Sequence, residues 1–400
     1  MENANSKMVF VFVVCGAAEH IDTLHFSLKA LRKFSANEIW VLTDSSRNEK
    51  PIECEYLIDQ PTPAQFNNHQ ASIYLKTGIH RFLPNGNMYC YIDTDVIALS
   101  SACDEVFRQR SGVINFAQDH CRVRSFSPHA VNCNCQKQWN VWHSELEGLL
   151  DKYDYSRHIT DPAMLDKRKK LFRKFDLIKQ KPLQYGLISA RFLLSPVRFK
   201  LDEDTYYHRW KRHWHDAEGR VMLYANENLF KLVEKHSRFV WNRWKQRWFA
   251  EGKYDVYHME CNHLIEQINT TFGITVKEEN WQHWNGGVFL FDDESHAFLD
   301  AWHQKTMHIF TLPEWKTRDQ GTLIATAWEF GLQEQLLLPK RFNFIADYNS
   351  HNLALSEDKA HLTDDSFKTL YDPALIHVYH NFGLKGWDVW DWIEQKVNTP

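Results

Sequence analysis

The feature that most constrains the fold is a continuous apolar run near the start of the chain. Every residue of Val9–Cys15 is β-branched, aromatic or otherwise apolar, which is typical of a parallel strand buried on both faces. The run stops at Gly16, and Leu24, Leu28 and Leu31 then recur at the spacing of one helix face. A strand followed by a helix and a further strand predicts a parallel sheet covered by helices.

The same alternation continues along the chain and returns after a different middle section. Strands are predicted at Glu38–Asp44, Met88–Ile92, Val113–Ala117, Trp284–Phe291, Leu336–Pro339, Phe342–Ala346 and Ala374–His380, and helices at Ala71–Phe82, at Ser295–Met307 and from Asp319 onward. We therefore predict an α/β fold whose central sheet is mixed but mostly parallel, with helices on both faces. Residues 1–127 and 265–400 form the two halves of this domain, and a mainly helical insertion at 128–264 separates them.

Composition excludes several other classes of protein. Apolar residues make up 44% and charged residues 24% of the chain, which is ordinary for a globular protein and excludes disordered or collagen-like chains. The chain has no apolar run of the about 20 residues that a membrane-spanning helix needs. The polar start is unlike a secretory signal, and eight cysteines fit a reduced compartment. We expect a cytoplasmic protein, with peripheral contact at the inner face of a membrane left open.

The predicted strand Met88–Ile92 runs directly into Asp93, Thr94 and Asp95. Two carboxylates one residue apart on an extended chain point to the same side. Mg²⁺ and Mn²⁺ prefer such oxygen ligands and leave positions open for diphosphate oxygens. A turn that caps the next segment is the alternative. Apolar sequence flanks the pair on both sides, and burying carboxylates there is costly unless a positive charge pairs them, so we favour a metal site.

Six stretches resemble, in the same order, the motifs of glycosyltransferases with the GT-A fold. The order is similar to that of glycosyltransferase family 8, a retaining family that includes glycogenin and the lipopolysaccharide galactosyltransferases. The stretches are Lys76, Met88–Leu99, Asn115–Asp119, Asn285–Phe289, Asp319–Gly321 and His380–Trp387. The resemblance covers residues 8–127 and 265–390. The chain departs from the family pattern in its long insertion and in its last motif, where Gly386 replaces a proline and one residue is missing before Lys385.

This resemblance implies a metal-dependent transfer of a sugar from a nucleotide sugar, with UDP as the expected nucleotide, to a glycan or lipid-linked acceptor with retention. His380 would join Asp93 and Asp95 as the third ligand of Mn²⁺ or Mg²⁺. Asn285, Asp319 and Gln320 would surround the transferred sugar as the catalytic groups. The residues that would contact the donor are Lys76, Asp93, Thr94, Asp119, Gly286, Gly383 and Lys385.

Two other functions stay open at this point. One is an inverting transferase of the same fold, with Asp319 or another carboxylate as the base. The other is a non-catalytic protein that binds carbohydrate or nucleic acid through a basic, tryptophan-rich surface, although the net charge of −4 does not demand a nucleic-acid partner. For Asp319 itself, an ordinary helix N-cap is an equal alternative, and the run Tyr185–Leu194 is a weaker rival for the role of Asn285–Phe291.

The loop after the first strand is a candidate nucleotide site. Cys15, Gly16 and Ala17 are small enough to lie against a flat uracil ring, and the absence of a Gly-x-Gly-x-x-Gly pattern disfavours a dinucleotide fold. Asp44, at the end of the second strand, could accept a hydrogen bond from a ribose hydroxyl. A zinc site is a minor hypothesis for the group Cys121, His129, Cys133 and Cys135, whose spacing matches no standard pattern.

The insertion is basic and rich in tryptophan. Residues 151–255 carry 24 Lys and Arg against 14 Asp and Glu, and Trp241, Trp244 and Trp248 are predicted to share one helix face. A run at Leu187–Leu194 is strand-like. The insertion could be a solvated subdomain, part of the acceptor site through indole stacking on sugars, or a contact with an anionic membrane through Lys167–Lys181.

Overall fold

The computed structural model describes residues 6–225, 229–347, 353–356, 358–364 and 369–399. Residues 1–5, part of the polar start of the chain, lie outside it. The chain divides into two compact units: the first is Met1–Cys133 with Glu260–Pro400, and the second is Asn134–Met259. The predicted insertion at 128–264 extends a few residues beyond the second unit at both ends.

The N-terminal part of the first unit alternates strands with helices, as its sequence pattern predicts. Its elements are β1 (Met8–Val14), α1 (Ala18–Phe34), β2 (Glu38–Thr43), β3 (Tyr56–Asp59), α2 (Asn68–Thr77), β4 (Met88–Ile92), β5 (Val96–Ala98), β6 (Asn115–Gln118) and α3 (Val123–Ala130). Short 3₁₀ turns lie at Ser45–Arg47, Ile79–Arg81 and Ser101–Gln109. A capping box between Asn67 and Gln70 begins α2, so the predicted helix starts three residues earlier than Ala71.

The second unit combines helices with two antiparallel sheets that the sequence did not predict. Its elements are α4 (Cys135–Tyr153), α5 (Pro162–Lys179), α6 (Pro182–Leu194), β7 (Arg198–Asp202), β8 (Thr205–His208), β9 (His213–His215), β10 (Val221–Tyr224), α7 (Leu229–His236), β11 (Phe239–Asn242), β12 (Arg247–Ala250) and β13 (Tyr254–Asp255), with a 3₁₀ turn at Tyr155–His158. The sheets have the orders β10-β9-β8-β7 and β11-β12-β13. Most of the regular structure is still helical.

Two sequence-based predictions in this unit are wrong. Trp241 and Trp248 face each other across the β11–β12 hairpin, with ring centroids 5.3 Å apart, and Trp244 lies in the turn. The side chain of Asn242 accepts hydrogen bonds from the backbone N–H groups of Trp244 and Lys245, which closes the turn locally and competes with a helix. The run Leu187–Leu194 belongs to α6, whose first residue is a proline, so the rival for Asn285–Phe291 is a helix.

The C-terminal part of the first unit completes its sheets. Its elements are α8 (His263–Phe272), β14 (Trp284–Phe291), α9 (His296–Ile309), α10 (Gln320–Glu329), β15 (Phe344–Ile345), β16 (Leu353–Leu355), β17 (Leu362–Asp364), β18 (Leu370–Tyr371), β19 (Leu375–His377) and α11 (Asp388–Asn398). Further 3₁₀ turns lie at Asp293–Ser295 and Lys340–Phe342. The predicted strand Leu336–Pro339 reduces to an isolated bridge at Leu338.

The central sheet has six strands in the order β3-β2-β1-β4-β14-β6. Neighbouring strands from β3 to β4 are parallel, whereas β14 is antiparallel to both β4 and β6. The predicted α/β class and the mixed, mostly parallel sheet are therefore confirmed. Two three-stranded sheets, β15-β19-β5 and β16-β17-β18, accompany it.

Aromatic side chains fill one face of this sheet where β14 joins its neighbours. Phe289 stacks on Tyr91 of β4 and on Phe116 of β6, with ring centroids 4.8 Å apart in both pairs. Phe116 also stacks on Trp284 at 5.2 Å. Stacked rings add packing energy beyond the area they bury, and this cluster holds the carboxyl end of β4 rigidly against β14.

Candidate active site

The carboxyl end of β4 brings Asp93 and Asp95 to a histidine from the far end of the chain. β5 begins immediately after Asp95 and pairs with β19 so that Val96 lies opposite His377. The backbone N–H of Val378 donates a hydrogen bond to the carbonyl of Asp95 over 3.0 Å. This register places Nε2 of His377 3.2 Å from Oδ1 of Asp95. The ligand atoms of Asp93, Asp95 and His377 all lie within 4.8 Å of one another.

The histidine at this point is His377, three residues before the expected ligand His380. β19 ends at His377, and the carboxylate of Asp347 then accepts hydrogen bonds from the backbone N–H groups of Tyr379 and Asn381. His380, between those two residues, is exposed and packs on the ring of Tyr379 with centroids 4.3 Å apart. The structure thus groups His377, and not His380, with the aspartates.

A chain of buried amides sets the tautomer of His377. The carbonyl oxygen of the Asn285 side chain accepts from the backbone N–H of Gly287 (2.8 Å), which orients that amide, and it also accepts from Nδ2 of Asn343 (2.9 Å). The oxygen of Asn343 therefore faces Nδ1 of His377, 3.0 Å away. Nδ1 must donate this hydrogen bond, and Nε2 of the neutral ring keeps its lone pair toward the aspartates, as in metal-binding histidines.

These residues fit a divalent cation. Oδ1 of Asp95 is buried and faces Nε2 of His377 at 3.2 Å. Burial disfavours charge at His377, yet Asp95 and Asp93 outweigh it and raise the pKa of His377. Burial and the charge of Asp95 raise the pKa of Asp93 against the pull of Lys76. Two oxygens and one imidazole nitrogen suit Mn²⁺ or Mg²⁺, whose charge would relieve this repulsion.

Lys76 is a largely buried cation between two of the predicted carboxylates. Its Nζ lies 3.2 Å from Oδ1 of Asp93 and 3.0 Å from Oδ2 of Asp319. Burial opposes its charge, but the charges of Asp319 and Asp93 raise the pKa of Lys76, so it stays protonated. Asp319 stands at the N-cap position of α10 without making a side-chain cap bond. Its carboxylate forms the ion pair with Lys76 instead. Asp319 therefore occupies the N-cap position but does not cap the helix with its side chain.

Asp119 gathers the other two predicted catalytic residues. Its Oδ2 accepts hydrogen bonds from the side-chain amides of Asn285 (2.9 Å) and Gln320 (3.0 Å). Burial favours the neutral acid, but His283, His120 and the Asn285 hydrogen bond outweigh it and lower the pKa of Asp119. The carboxylate is therefore ionised and its amide partners are held in one orientation.

Gly287 allows this assembly to close. A Cβ at this position would lie 2.7 Å from Cε1 of His377 and 2.8 Å from Oδ1 of Asn285, distances that side-chain carbons do not reach. A Cβ at Gly286 would meet Nζ of Lys76 at 3.3 Å. The absence of side chains at Gly286 and Gly287 therefore lets the backbone of β14 come close to Lys76, His377 and Asn285.

A cavity of about 310 Å³ opens over this group. Of the predicted residues, Cys15, Lys76, Asp93, Thr94, Asp95, Asp319 and Gln320 line it. The sequence analysis missed His20, His69 and Arg318, which line it too. Arg318 immediately precedes the predicted Asp319 and Gln320, so its position next to a candidate motif was the available signal.

Other predicted residues lie outside the cavity lining. Both oxygens of Asp44 accept hydrogen bonds, from Ser46, Arg47 and Thr62, and these bonds outweigh burial and lower the pKa of Asp44 to about 2. The backbone N–H of Gly16 donates to Asn48, and Ala17 precedes α1. Gly383 and Lys385 are exposed, and Lys385 forms an ion pair with Glu394.

The four residues of the minor zinc hypothesis are divided between different groups. Cys121 lies with Asp119 and His283, whereas Cys133 lies with Cys261, at a sulfur–sulfur distance of 4.0 Å. His129 belongs to neither of the described groups. That quartet is therefore not assembled as the sequence suggested.

No family model and no curated protein matches the chain. Solved structures give weak likenesses. They include the bifunctional glycosyltransferase WbbM (11% identity, TM-score 0.40, all of this chain and 50% of that one). They also include GlyE from Streptococcus pneumoniae TIGR4 (11%, 0.39, 99% and 61%) and the galactosyltransferase LgtC with donor and acceptor sugar analogs (9%, 0.38, 98% and 97%). The chain spans half to about three fifths of the first two. The first two are described as glycosyltransferases and the third as a galactosyltransferase.

Proposed function

We propose that this chain is a metal-dependent glycosyltransferase that moves a sugar from a nucleotide sugar to a glycan or lipid-linked acceptor. The observation that carries the proposal is the convergence of Asp93, Asp95 and His377, because the two aspartates line a cavity that two cations, Lys76 and Arg318, also line. A carboxylate pair with one imidazole suits Mn²⁺, and cations around it suit a diphosphate. The motif order in the sequence points to the same chemistry.

Each charged group of the site has a role in breaking the sugar–phosphate bond. Mn²⁺ or Mg²⁺, when bound, would neutralise the charge that develops on the leaving diphosphate. Lys76 holds Asp93 and Asp319 in place as a fixed, protonated cation, and Arg318 adds positive charge at the cavity wall. Preorganised charges of this kind stabilise a transition state without reorganisation at the moment of reaction.

The carboxylates favour a retaining reaction over an inverting one. An inverting transferase needs a base to deprotonate the acceptor, with a pKa near the working pH. Asp319 is paired with Lys76, and the pKa of Asp119 is lowered while its Oδ2 accepts from two amides. Neither suits that role, whereas in a retaining reaction the leaving phosphate takes the acceptor proton. Asn285, Gln320 and Asp119 then orient the sugar.

A screen of nucleotide sugars tests the proposal. The chain is mixed with UDP-, GDP- and ADP-linked sugars, with Mn²⁺ or with EDTA, and thermal stability and sugar release are measured. We expect UDP-sugars to stabilise the chain and release sugar only with Mn²⁺, and NMR of the product to show the donor's anomeric configuration. Metal-independent binding of an oligonucleotide or glycan, without release, would support the non-catalytic alternative, and an inverted product would support the inverting one.

A specific observation also favours contact between the second unit and an anionic membrane. Leu183, Leu187 and Leu194 of α6 are 88%, 70% and 83% exposed and share one helix face. α5, the preceding helix, carries seven Lys and Arg against two Asp. An apolar helix face beside basic residues is the pattern of helices that lie in the headgroup region. No helix among the described residues is long and apolar enough to cross a membrane.

Vesicle sedimentation tests this contact. The full chain should bind vesicles that contain phosphatidylglycerol more strongly than pure phosphatidylcholine vesicles, and added salt should weaken binding. The double variant L187D/L194D should lose most of it. L336D is the matched control, because Leu336 is 75% exposed but belongs to the first unit. Equal loss in L336D, or binding that ignores lipid charge, would contradict the proposal.

A further inference from the structure

A second cluster of side chains that can bind a metal lies in the first unit, at the two points in the sequence that flank the second unit. The N-terminal segment of the first unit ends at Cys133, and its C-terminal segment begins at Glu260. The sulfurs of Cys133 and Cys261 are 4.0 Å apart, and a ring nitrogen of His263 lies within 4.8 Å of both. None of these three residues takes part in the site with Asp93 and His377.

The sulfur–sulfur distance fits a shared metal better than a disulfide. Two sulfurs bound to one tetrahedral zinc at about 2.3 Å each lie about 3.8 Å apart. A disulfide would need about 2.05 Å. Two thiolates and an imidazole supply three of the four ligands that a closed zinc site takes.

The sequence offers the fourth ligand next to the first. Cys135 is two residues beyond Cys133, and a step of two residues spans at most about 7 Å. This spacing allows the thiolate of Cys135 to reach a metal held by Cys133. The resulting ligand order along the chain is Cys-x-Cys and, after the insertion, Cys-x-His.

The surroundings of Cys261 suit a thiolate. Ser127 is fully buried, and its hydroxyl oxygen accepts a hydrogen bond from the backbone N–H of Leu264 over 2.9 Å. Its Oγ lies 3.1 Å from the sulfur of Cys261, which is placed to accept the hydroxyl proton. Metal-binding side chains are commonly held by such a donor, which orients the ligand and stabilises its charge.

We propose that Cys133, Cys135, Cys261 and His263 bind one Zn²⁺ in a tetrahedral structural site. Three thiolates and one imidazole favour zinc over the Mn²⁺ or Mg²⁺ that carboxylates attract. All four positions are filled by protein, so the metal has no open position for a substrate and serves the fold. The site ties the two ends of the inserted segment together and removes loop-closure entropy from the unfolded chain, as a cross-link does.

Metal analysis of the full chain tests this site. The protein is purified in reductant without chelator, and zinc is measured by mass spectrometry. We expect about one zinc per chain, falling at least tenfold in C133S/C261S. H263C should keep the metal, because four cysteines also bind zinc. C54S is the matched control, since Cys54 is a part-buried cysteine outside the cluster, and H377A separates this metal from the one proposed for the cavity.

Cobalt exchange covers the case in which C133S/C261S fails to fold. The wild-type chain is stripped with a chelator and titrated with Co²⁺, which should give the strong visible bands of tetrahedral thiolate coordination. Less than about a tenth of a zinc per chain in reductant, a Co²⁺ spectrum without thiolate bands, or a Cys133–Cys261 disulfide in place of metal would overturn the proposal. Unchanged zinc in a folded C133S/C261S protein would do the same. Transferase activity can fail independently of every one of these results.

Discussion

At the scale of single residues, His377 and His380 give the sharpest test of the cavity site. His377 lies 3.2 Å from Asp95 with its tautomer set by Asn343, whereas His380 is exposed. We expect H377A to lower Mn²⁺ affinity and transfer at least tenfold, because one of three ligands is lost. H380A is the matched control and should change both less than about twofold. Steady-state transfer measured against Mn²⁺ concentration distinguishes the two, and the opposite result would restore His380 as the ligand.

Gly287 gives a second test at this scale. In G287A the new methyl group would overlap the ring of His377 and the amide of Asn285. We expect a loss of about 1–3 kcal/mol in the free energy of unfolding, together with loss of Mn²⁺-dependent nucleotide binding. G148A is the control, because Gly148 is exposed in α4 and a Cβ there has nothing within 4 Å. That variant should be as stable as wild type or about 0.5–1 kcal/mol more so in urea unfolding.

At the residue level, local motifs predicted side chains that the structure places close together. Asp93 and Asp95 adjoin a recognisable strand, and Lys76, Asp119, Asn285, Asp319 and Gln320 do lie within one hydrogen-bonded and ion-paired group. The sequence could not choose between His377 and His380, because that choice depends on the register of β19 against β5 and on Asp347, which turns the chain outward after His377. Arg318 was missed because its position next to Asp319 and Gln320 was the only signal that marked it.

At the scale of elements, the contact between α2 and α9 predicts a dependence of stability on pH. Burial, with help from Arg81 and His80, lowers the pKa of His303 on α9 to about 4, against about 6.5 in an unfolded chain. Between these values the unfolded state binds more protons, so stability falls as the pH falls from about 6.5 toward 4. From pH 7 to pH 5 this histidine should cost about 2 kcal/mol.

Urea unfolding at pH 7 and pH 5 checks this expectation. H303Q should lose stability at pH 7, because His303 Nδ1 bonds Thr77 over 2.8 Å, yet the difference between the two pH values should shrink. H308Q alters an exposed histidine of the same helix and should keep the wild-type difference. An equal difference in H303Q and wild type would show that His303 is not neutral in the folded state at pH 5.

Element prediction worked best for long periodic segments and failed where a few residues happened to have the spacing of a helix. β1, α1 and β4 follow directly from their apolar patterns. The tryptophans at 241, 244 and 248 have helical spacing, but a hairpin that places Trp241 opposite Trp248 on facing strands is equally compatible with these positions. What decided the outcome was the side chain of Asn242 bonding two turn N–H groups, a local competitor that periodicity does not register.

At the scale of the whole molecule, D93N should separate stability from ligand response. Asp93 is half-buried with a raised pKa, so its charge costs folding energy, and Lys76 keeps Asp319 as a partner when that charge is removed. We expect D93N in EDTA to be at least as stable as wild type. Wild type with Mn²⁺ and a UDP-sugar at a hundred times Kd should gain about 2.7 kcal/mol, and D93N should gain almost none.

Differential scanning fluorimetry with and without both ligands measures this difference. D391N, which alters an exposed aspartate on α11, is the control and should respond like wild type. If D93N kept the full ligand-induced shift, Asp93 would not be a metal ligand. If it were severely destabilised in EDTA, the ion pair with Lys76 would matter more than the repulsion from Asp95.

The class of the first unit could be read from its strand–helix alternation, but the order of its sheet could not. β14 is placed between β4 and β6 by side-chain packing of Phe289 against Tyr91 and Phe116, residues that are remote in the sequence. Nothing in a local apolar run distinguishes the two directions of a buried strand.

This strand order also fixes a sequence of events during synthesis on the ribosome. Among the strands that the structure describes, only β14 neighbours β6 in the central sheet, and 173 residues separate the end of β6 from the end of β14. At about 5–20 residues per second this interval lasts roughly 9–35 s. During that time Phe116 and Tyr91 lack the packing contact with Phe289, which has not yet been synthesised. The nascent N-terminal half therefore carries an incomplete sheet with an open strand edge. Chaperones are suited to shield such an edge, and premature termination would leave it prone to aggregation.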